Sequence, residues 1–208
     1  MNKTDPREKH IIPDWLKECY LVILTPSIQF LTSRKIHPNF ITTLSCFLSG
    51  VSGLTMASGN LRWAGGLILV SGTLDILDGA VARLAKRVTS FGAFYDSTLD
   101  RYAELAIYFG ILFYFLNQKG GFHHLLIVWV CLAMGGSFMV SYIRARAEGL
   151  GLECKVGFMQ RPERIVLLGF GALFHENILI GSIILIAVFS NLTAIQRIIH
   201  VWKLTRRS

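Results

Sequence analysis

Four carboxylates interrupt otherwise apolar stretches of the chain: Asp75 and Asp78, then Asp96 and Asp100. The run DILDGAVARLAKRVTSFGAFYDSTLD carries them at i, i+3 and at i, i+4, the two spacings that place side chains on one face of a helix. A short turn over 86–90 makes the two helices antiparallel neighbours, so all four carboxylates can point into one gap. Four anions in a partly dehydrated gap repel one another strongly, and something cationic must compensate. An all-oxygen ligand set suits a hard divalent ion, Mg2+ or Mn2+. A structural role alone, as helix caps or as partners of Arg83, Lys86, Arg87 and Arg101, does not account for all four in register. Small residues stand beside them: Gly79 and Ala82 before the turn and Gly92 after it leave room for a ligand or a neighbouring backbone. Arg83 lies near the same face, where it could pair with a phosphate.

The elements that must position these acids are apolar helices. Of 208 residues, 52% are hydrophobic and only 16% charged, against about 25% charged in soluble domains, and the mean hydropathy is +0.50. That excludes an ordinary soluble domain and a disordered chain. A spanning helix needs ~20 mostly apolar residues. Candidate spans lie at about 39–58, 62–85, 91–117, 122–147, 162–175 and 177–202, the fifth short and polar at its start. The segment 14–36 has apolar residues at helical spacing and charges at both ends. It is expected to be an interfacial helix, broken or kinked near Pro26, with a seventh span as the alternative. The expected fold is all-α and integral to the membrane: six transmembrane helices preceded by an N-terminal amphipathic interfacial helix. The chain is expected to form a single domain over 1–208, with 1–13 flexible. Ionisable residues within such helices are functional candidates by default.

The formal net charge is +8, from 21 Lys and Arg against 13 Asp and Glu. The basic residues flank the apolar runs instead of forming the continuous face a nucleic acid would need, so no nucleic-acid partner is expected. They gather near the N-terminus, at 86–90, at 144–164 and near the C-terminus, which puts both termini and the acids on the cytoplasmic side of the cytoplasmic membrane. Residues 1–18 are charged and lack the apolar core of a secretory signal. Cys19, Cys46, Cys131 and Cys154 show no metal-binding spacing, and no histidine pair does either. A small transporter using intramembrane acids is the alternative from another class. It would place them at a midplane, whereas here they fall at the ends of two adjacent helices.

The pattern Asp75-x2-Asp78-Gly79-x2-Ala82-Arg83-x8-Gly92-x3-Asp96-x3-Asp100 resembles the full signature of the CDP-alcohol phosphotransferase family. The resemblance extends over essentially the whole chain. It implies transfer of a phosphatidyl-type group from a CDP-lipid, CDP-diacylglycerol or an archaeal-type counterpart, to an alcohol, with release of CMP. It further implies that Asp75, Asp78 and Asp96 are metal ligands, and that Asp100 is the general base on the acceptor hydroxyl and can also touch a metal. Asp75, Gly79, Arg83 and Gly92 would then line the CDP site. The stretch Pro38-Asn39-Phe40-Ile41-Thr42 resembles a family segment at the start of the first span, which adds Asn39 and Thr42 to that site. Members are commonly homodimers.

The second half of the chain bears on the acceptor. SYIRARAE at 141–148, RPER at 161–164 and Gln196-Arg197 resemble the bacterial phosphatidylinositol phosphate synthases within that family, although a lysine is common there where this chain has Arg144. That resemblance implies a cationic pocket for the phosphate of inositol phosphate, built from Ser141, Arg144, Arg164 and Arg197 with Arg161 nearby. Independently, Arg197 in an apolar helix requires a partner, and several guanidiniums near one cavity would bind a dianionic phosphate well. Glycerol 3-phosphate also carries a phosphate and remains the alternative acceptor. Glu104, one turn past Asp100, is expected to make a structural pairing.

Overall fold

The computed structural model describes residues 13–118 and 121–206. Among them every regular element is a helix: α1 (Asp14–Ser33), α2 (Pro38–Ala57), α3 (Leu61–Leu84), α4 (Ser90–Leu116), α5 (Gly121–Glu148), α6 (Arg161–Phe174) and α7 (Glu176–Thr205). Helices are the economical solution for such apolar segments, because each satisfies its own backbone N–H and C=O groups where water is absent. Local signals set the boundaries. Pro38 occupies the first turn of α2, and the His37 side chain accepts from the Asn39 N–H. Thr89 caps α4 by accepting from the Gly92 N–H at 3.0 Å. Lys86, at φ +53°, turns the chain out of α3.

Helix α2 packs between α3 and α4, and α5 packs along α7. Helix α6 joins these groups by touching both α3 and α7, and α4 meets α5. The α2–α4 crossing depends on glycine. A Cβ on Gly110 would stand 2.4 Å from the Gly53 carbonyl oxygen, and one on Gly53 would stand 2.3 Å from that of Ala106. Only bare backbones allow this approach. The buried core runs through Met56, Ile68, Tyr108, Phe115, Leu168, Leu179 and Ile183.

Among the described residues, three helical segments, Pro38–Ala57, His124–Glu148 and Glu176–Thr205, are long and apolar enough to cross a membrane. Together with the large side chains left exposed along the bundle (Leu54, Trp63, Phe113 and Leu185 among them), they make this an integral membrane protein. Helices α3 and α4 have the length, at 24 and 27 residues, but carry the acids; α6 has 14 residues.

Helix α1 is not broken at Pro26, one of the two outcomes expected there, and runs from Asp14 to Ser33. Proline there deprives the Val22 carbonyl of its helical donor, but Val22 lies on the exposed side, and the apolar contacts of Leu24 and Ile28 with Ile41, Leu77 and Val81 hold the helix down. Tyr20 adds a 2.7 Å hydroxyl contact with Thr73 on α3. Apart from Pro13, the expected flexible stretch 1–13 lies outside the described residues.

Candidate active site

Helices α3 and α4 bring Asp75, Asp78 and Asp96 together as their spacing predicts: one carboxylate oxygen from each lies within 4.8 Å of the others. Asp78 is buried and accepts a 2.6 Å hydrogen bond from the Thr42 hydroxyl on α2. Asp96 Oδ1 is buried with no hydrogen-bond partner among the described residues. A carboxylate oxygen is rarely left so, and here it belongs to a triad of hard oxygen donors. The donor set and the orphaned oxygen both fit a divalent ion such as Mg2+ or Mn2+.

Asp100 faces a different partner. Arg161, the first residue of α6, reaches across to α3 and α4. Its Nη1 donates to Asp75 Oδ2 at 2.5 Å, and its Nη2 pairs with Asp100 Oδ1 at 2.9 Å. Arg161 Nε is buried without a partner among the described residues. The expected acceptor-phosphate arginine therefore sits among the acids. Sequence reasoning put Arg161 near a phosphate; its neighbour in space, 86 positions away from Asp75, had no local signal.

The remaining arginines divide. Arg164 is fully buried; its Nε and Nη2 grip both oxygens of Glu104 at 2.6 and 2.9 Å, and its Nη1 donates to the Met159 carbonyl. Glu104 thus makes the structural pairing expected of it. Arg197, also buried, donates from Nε to the Val156 carbonyl and from Nη1 to the Val140 carbonyl, at 2.8 and 2.5 Å. That places it beside Ser141, at the end of α5. Arg144, one turn on, is half-exposed and pairs with Glu148 at 2.8 Å. The connection between α5 and α6 is consequently held from two sides, by Arg164 at Met159 and by Arg197 at Val156, with the Thr193 hydroxyl accepting from the Met159 N–H. Cys154 is buried in that connection, and burial pushes its thiol above the ordinary range, so it stays protonated. Gln196 and Lys203 of α7 line a separate groove of about 320 Å³ against Val156 and Phe158.

The residues expected at the nucleotide converge at the same end of α2, α3 and α4. Arg83 folds back so that its guanidinium lies over Gly79, where a Cβ would stand 3.3 Å from Nη1. Asn39 Oδ1 lies 3.5 Å from the position a Cβ would take on Gly92. Thr42 lies at the same end, and its hydroxyl donates to Asp78. A contact between α2 and α3 of this kind leaves no trace in sequence spacing.

The arrangement agrees with what known proteins share. The model of the CDP-alcohol phosphatidyltransferase family matches residues 35–204. The chain is 41% identical over 169 residues to the archaetidylinositol phosphate synthase of Methanothermobacter thermautotrophicus, covering 79% of this chain and 83% of that one. It is 32% identical over 187 residues to the phosphatidylinositol phosphate synthase of Mycobacteroides abscessus, covering 87% and 84%. The crystal structure of Mycobacterium tuberculosis phosphatidylinositol phosphate synthase with CDP-DAG bound superposes with a TM-score of 0.78 at 31% identity, over 86% of this chain and 94% of that one. The same enzyme in complex with manganese and citrate gives 0.78 at 32%, over 86% and 88%. With its signature aspartates gathered in space and the match running through nearly all the described helices, this chain belongs to the CDP-alcohol phosphatidyltransferase family.

Proposed function

We propose that this protein transfers a phosphatidyl group from CDP-diacylglycerol to a hydroxyl of inositol phosphate, giving phosphatidylinositol phosphate and CMP. The observation that carries the reading is the convergence of four signature carboxylates from α3 and α4 on one site, one of them with an orphaned buried oxygen. Asp75, Asp78 and Asp96, with Asp100 at the edge, would hold Mg2+ or Mn2+; the bound ion supplies neutralisation of the charge on the diphosphate. Asp100 takes the proton of the attacking hydroxyl. The acceptor oxygen bonds to the lipid-bearing phosphorus, the bond from that phosphorus to the CMP oxygen breaks, and CMP leaves with the electron pair. Direct displacement needs no covalent enzyme intermediate. Asn39, Gly79, Arg83 and Gly92 line the CDP side, and Thr42 orients Asp78 from below.

For the acceptor, Ser141, Arg144, Arg161, Arg164 and Arg197 would form the phosphate pocket; Arg161 pairing with Asp75 and Asp100, and Arg197 bonding the Val140 carbonyl next to Ser141, support that reading. The relatives named for archaeal and bacterial inositol phosphate lipids support the same acceptor. The 41% identity to the archaetidyl enzyme favours, as a second reading, a CDP-archaeol-type donor. The whole chain would form one membrane domain of six spans, dimeric, with α1 at the interface and the site and both termini on the cytoplasmic side.

Purified protein in detergent, given CDP-diacylglycerol and Mn2+, should release CMP with inositol phosphate and not with free inositol or serine. Release with glycerol 3-phosphate instead would keep the chemistry and overturn the acceptor. Release only with a CDP-archaeol donor would select the second reading.

A further inference from the structure

Arg161 touches both the carboxylate triad, through Asp75, and Asp100, which is outside it. Its two terminal nitrogens are committed to these acids, and Nε has no partner among the described residues. The guanidinium is largely buried, with the side chain 18% exposed. A buried cation bonded to two carboxylates offsets the repulsion that a metal ion would otherwise have to offset. Arg161 and a metal ion would both draw on the charge of the Asp75 carboxylate and repel each other across it, so each weakens the hold of the other.

We propose that Arg161 is a tethered counter-cation of the carboxylate site, displaced from Asp75 when the divalent ion loads and thereby freed for the acceptor phosphate. The proposal rests on the functional reading above and adds a coupling to it. With both terminal nitrogens of Arg161 held on carboxylates, less of its charge and fewer of its N–H groups are left for a phosphate than once the Asp75 bond is released. Metal loading therefore favours acceptor binding, and by reciprocity the acceptor tightens the metal. Arg161 begins α6 immediately after the connection held by Arg164 and Arg197, so its anchor is fixed and only its long side chain must move.

Mn2+ binding to detergent-solubilised protein, followed by the electron paramagnetic resonance of the free ion, tests this without turnover. Arg161→Gln should bind Mn2+ about tenfold more tightly than the wild type, because a charge-assisted bond to Asp75 no longer has to be broken. Inositol phosphate should tighten Mn2+ binding in the wild type and not in Arg161→Gln. Arg161→Lys, which keeps the charge, should fall between the two and serves if the glutamine variant does not fold. Arg101→Gln is the control for general charge removal, since its guanidinium stands 4.0 Å from Asp100 and makes no direct bond to Asp75 among the described contacts, and it should shift Mn2+ affinity less. Unchanged or weaker Mn2+ binding in Arg161→Gln, or an equal gain in Arg101→Gln, overturns the proposal. Failure of every protein, wild type included, to bind Mn2+ overturns the metal site itself, and this coupling with it.

Discussion

Asp100 and Glu104 stand one helical turn apart on α4 and do opposite things. Asp100 shares Arg161 with Asp75 at the edge of the acid cluster, whereas Glu104 is closed off with Arg164 in a two-pronged pair that excludes solvent. Their predicted failures differ accordingly. Asp100→Asn should abolish CMP release, by 100-fold or more as an order of magnitude for a lost general base, while leaving thermal unfolding in detergent nearly unchanged. Glu104→Gln should do the reverse first. Removing one partner of a buried ion pair costs about 3–5 kcal/mol, read as a large drop in unfolding temperature, and activity should fall because the connection that Arg164 holds at Met159 loosens. The four aspartates were legible in sequence because helical spacing alone puts each pair on one face. The partners of the arginines were not, since Arg161 and Asp75, or Arg164 and Glu104, are joined only by the packing of α6 against α3 and α4.

At the level of the helices, the site depends on how closely α2, α3 and α4 approach. Thr42 can reach Asp78 because α2 lies tightly between its neighbours, and Gly53 and Gly110 permit that contact with α4. Gly110→Leu should drive the two helices apart, at a cost of about 1–3 kcal/mol for overpacking, visible as a lowered unfolding temperature and weaker Mn2+ binding. Gly50→Ala, at a position where a Cβ meets nothing within 4 Å, should change neither. Helix positions followed from hydropathy and caps, and a 14-residue helix, α6, lies where the short fifth span was expected. The continuity of α1 through Pro26 did not follow, because the proline signal is local whereas Leu24 and Ile28 are held by α2 and α3.

Across the whole molecule, the proposed topology puts the excess of Lys and Arg and the acid site on one side of the membrane. Reporter fusions at the N- and C-termini should both report the cytoplasm; opposite reports would require an odd number of spans and would separate α1 from its interfacial role. Chelation with EDTA should stop turnover, and added Mg2+ or Mn2+ should restore it, as expected if the acid cluster works only with its ion. The most direct test follows the phosphorus. Purified protein with Mn2+, CDP-diacylglycerol and inositol phosphate should yield one phosphatidylinositol phosphate, identified by the mass of the lipid product, for every CMP released. CMP appearing without that lipid, as hydrolysis to phosphatidic acid would give, or a lipid carrying a different acceptor, would contradict transfer to inositol phosphate at this site.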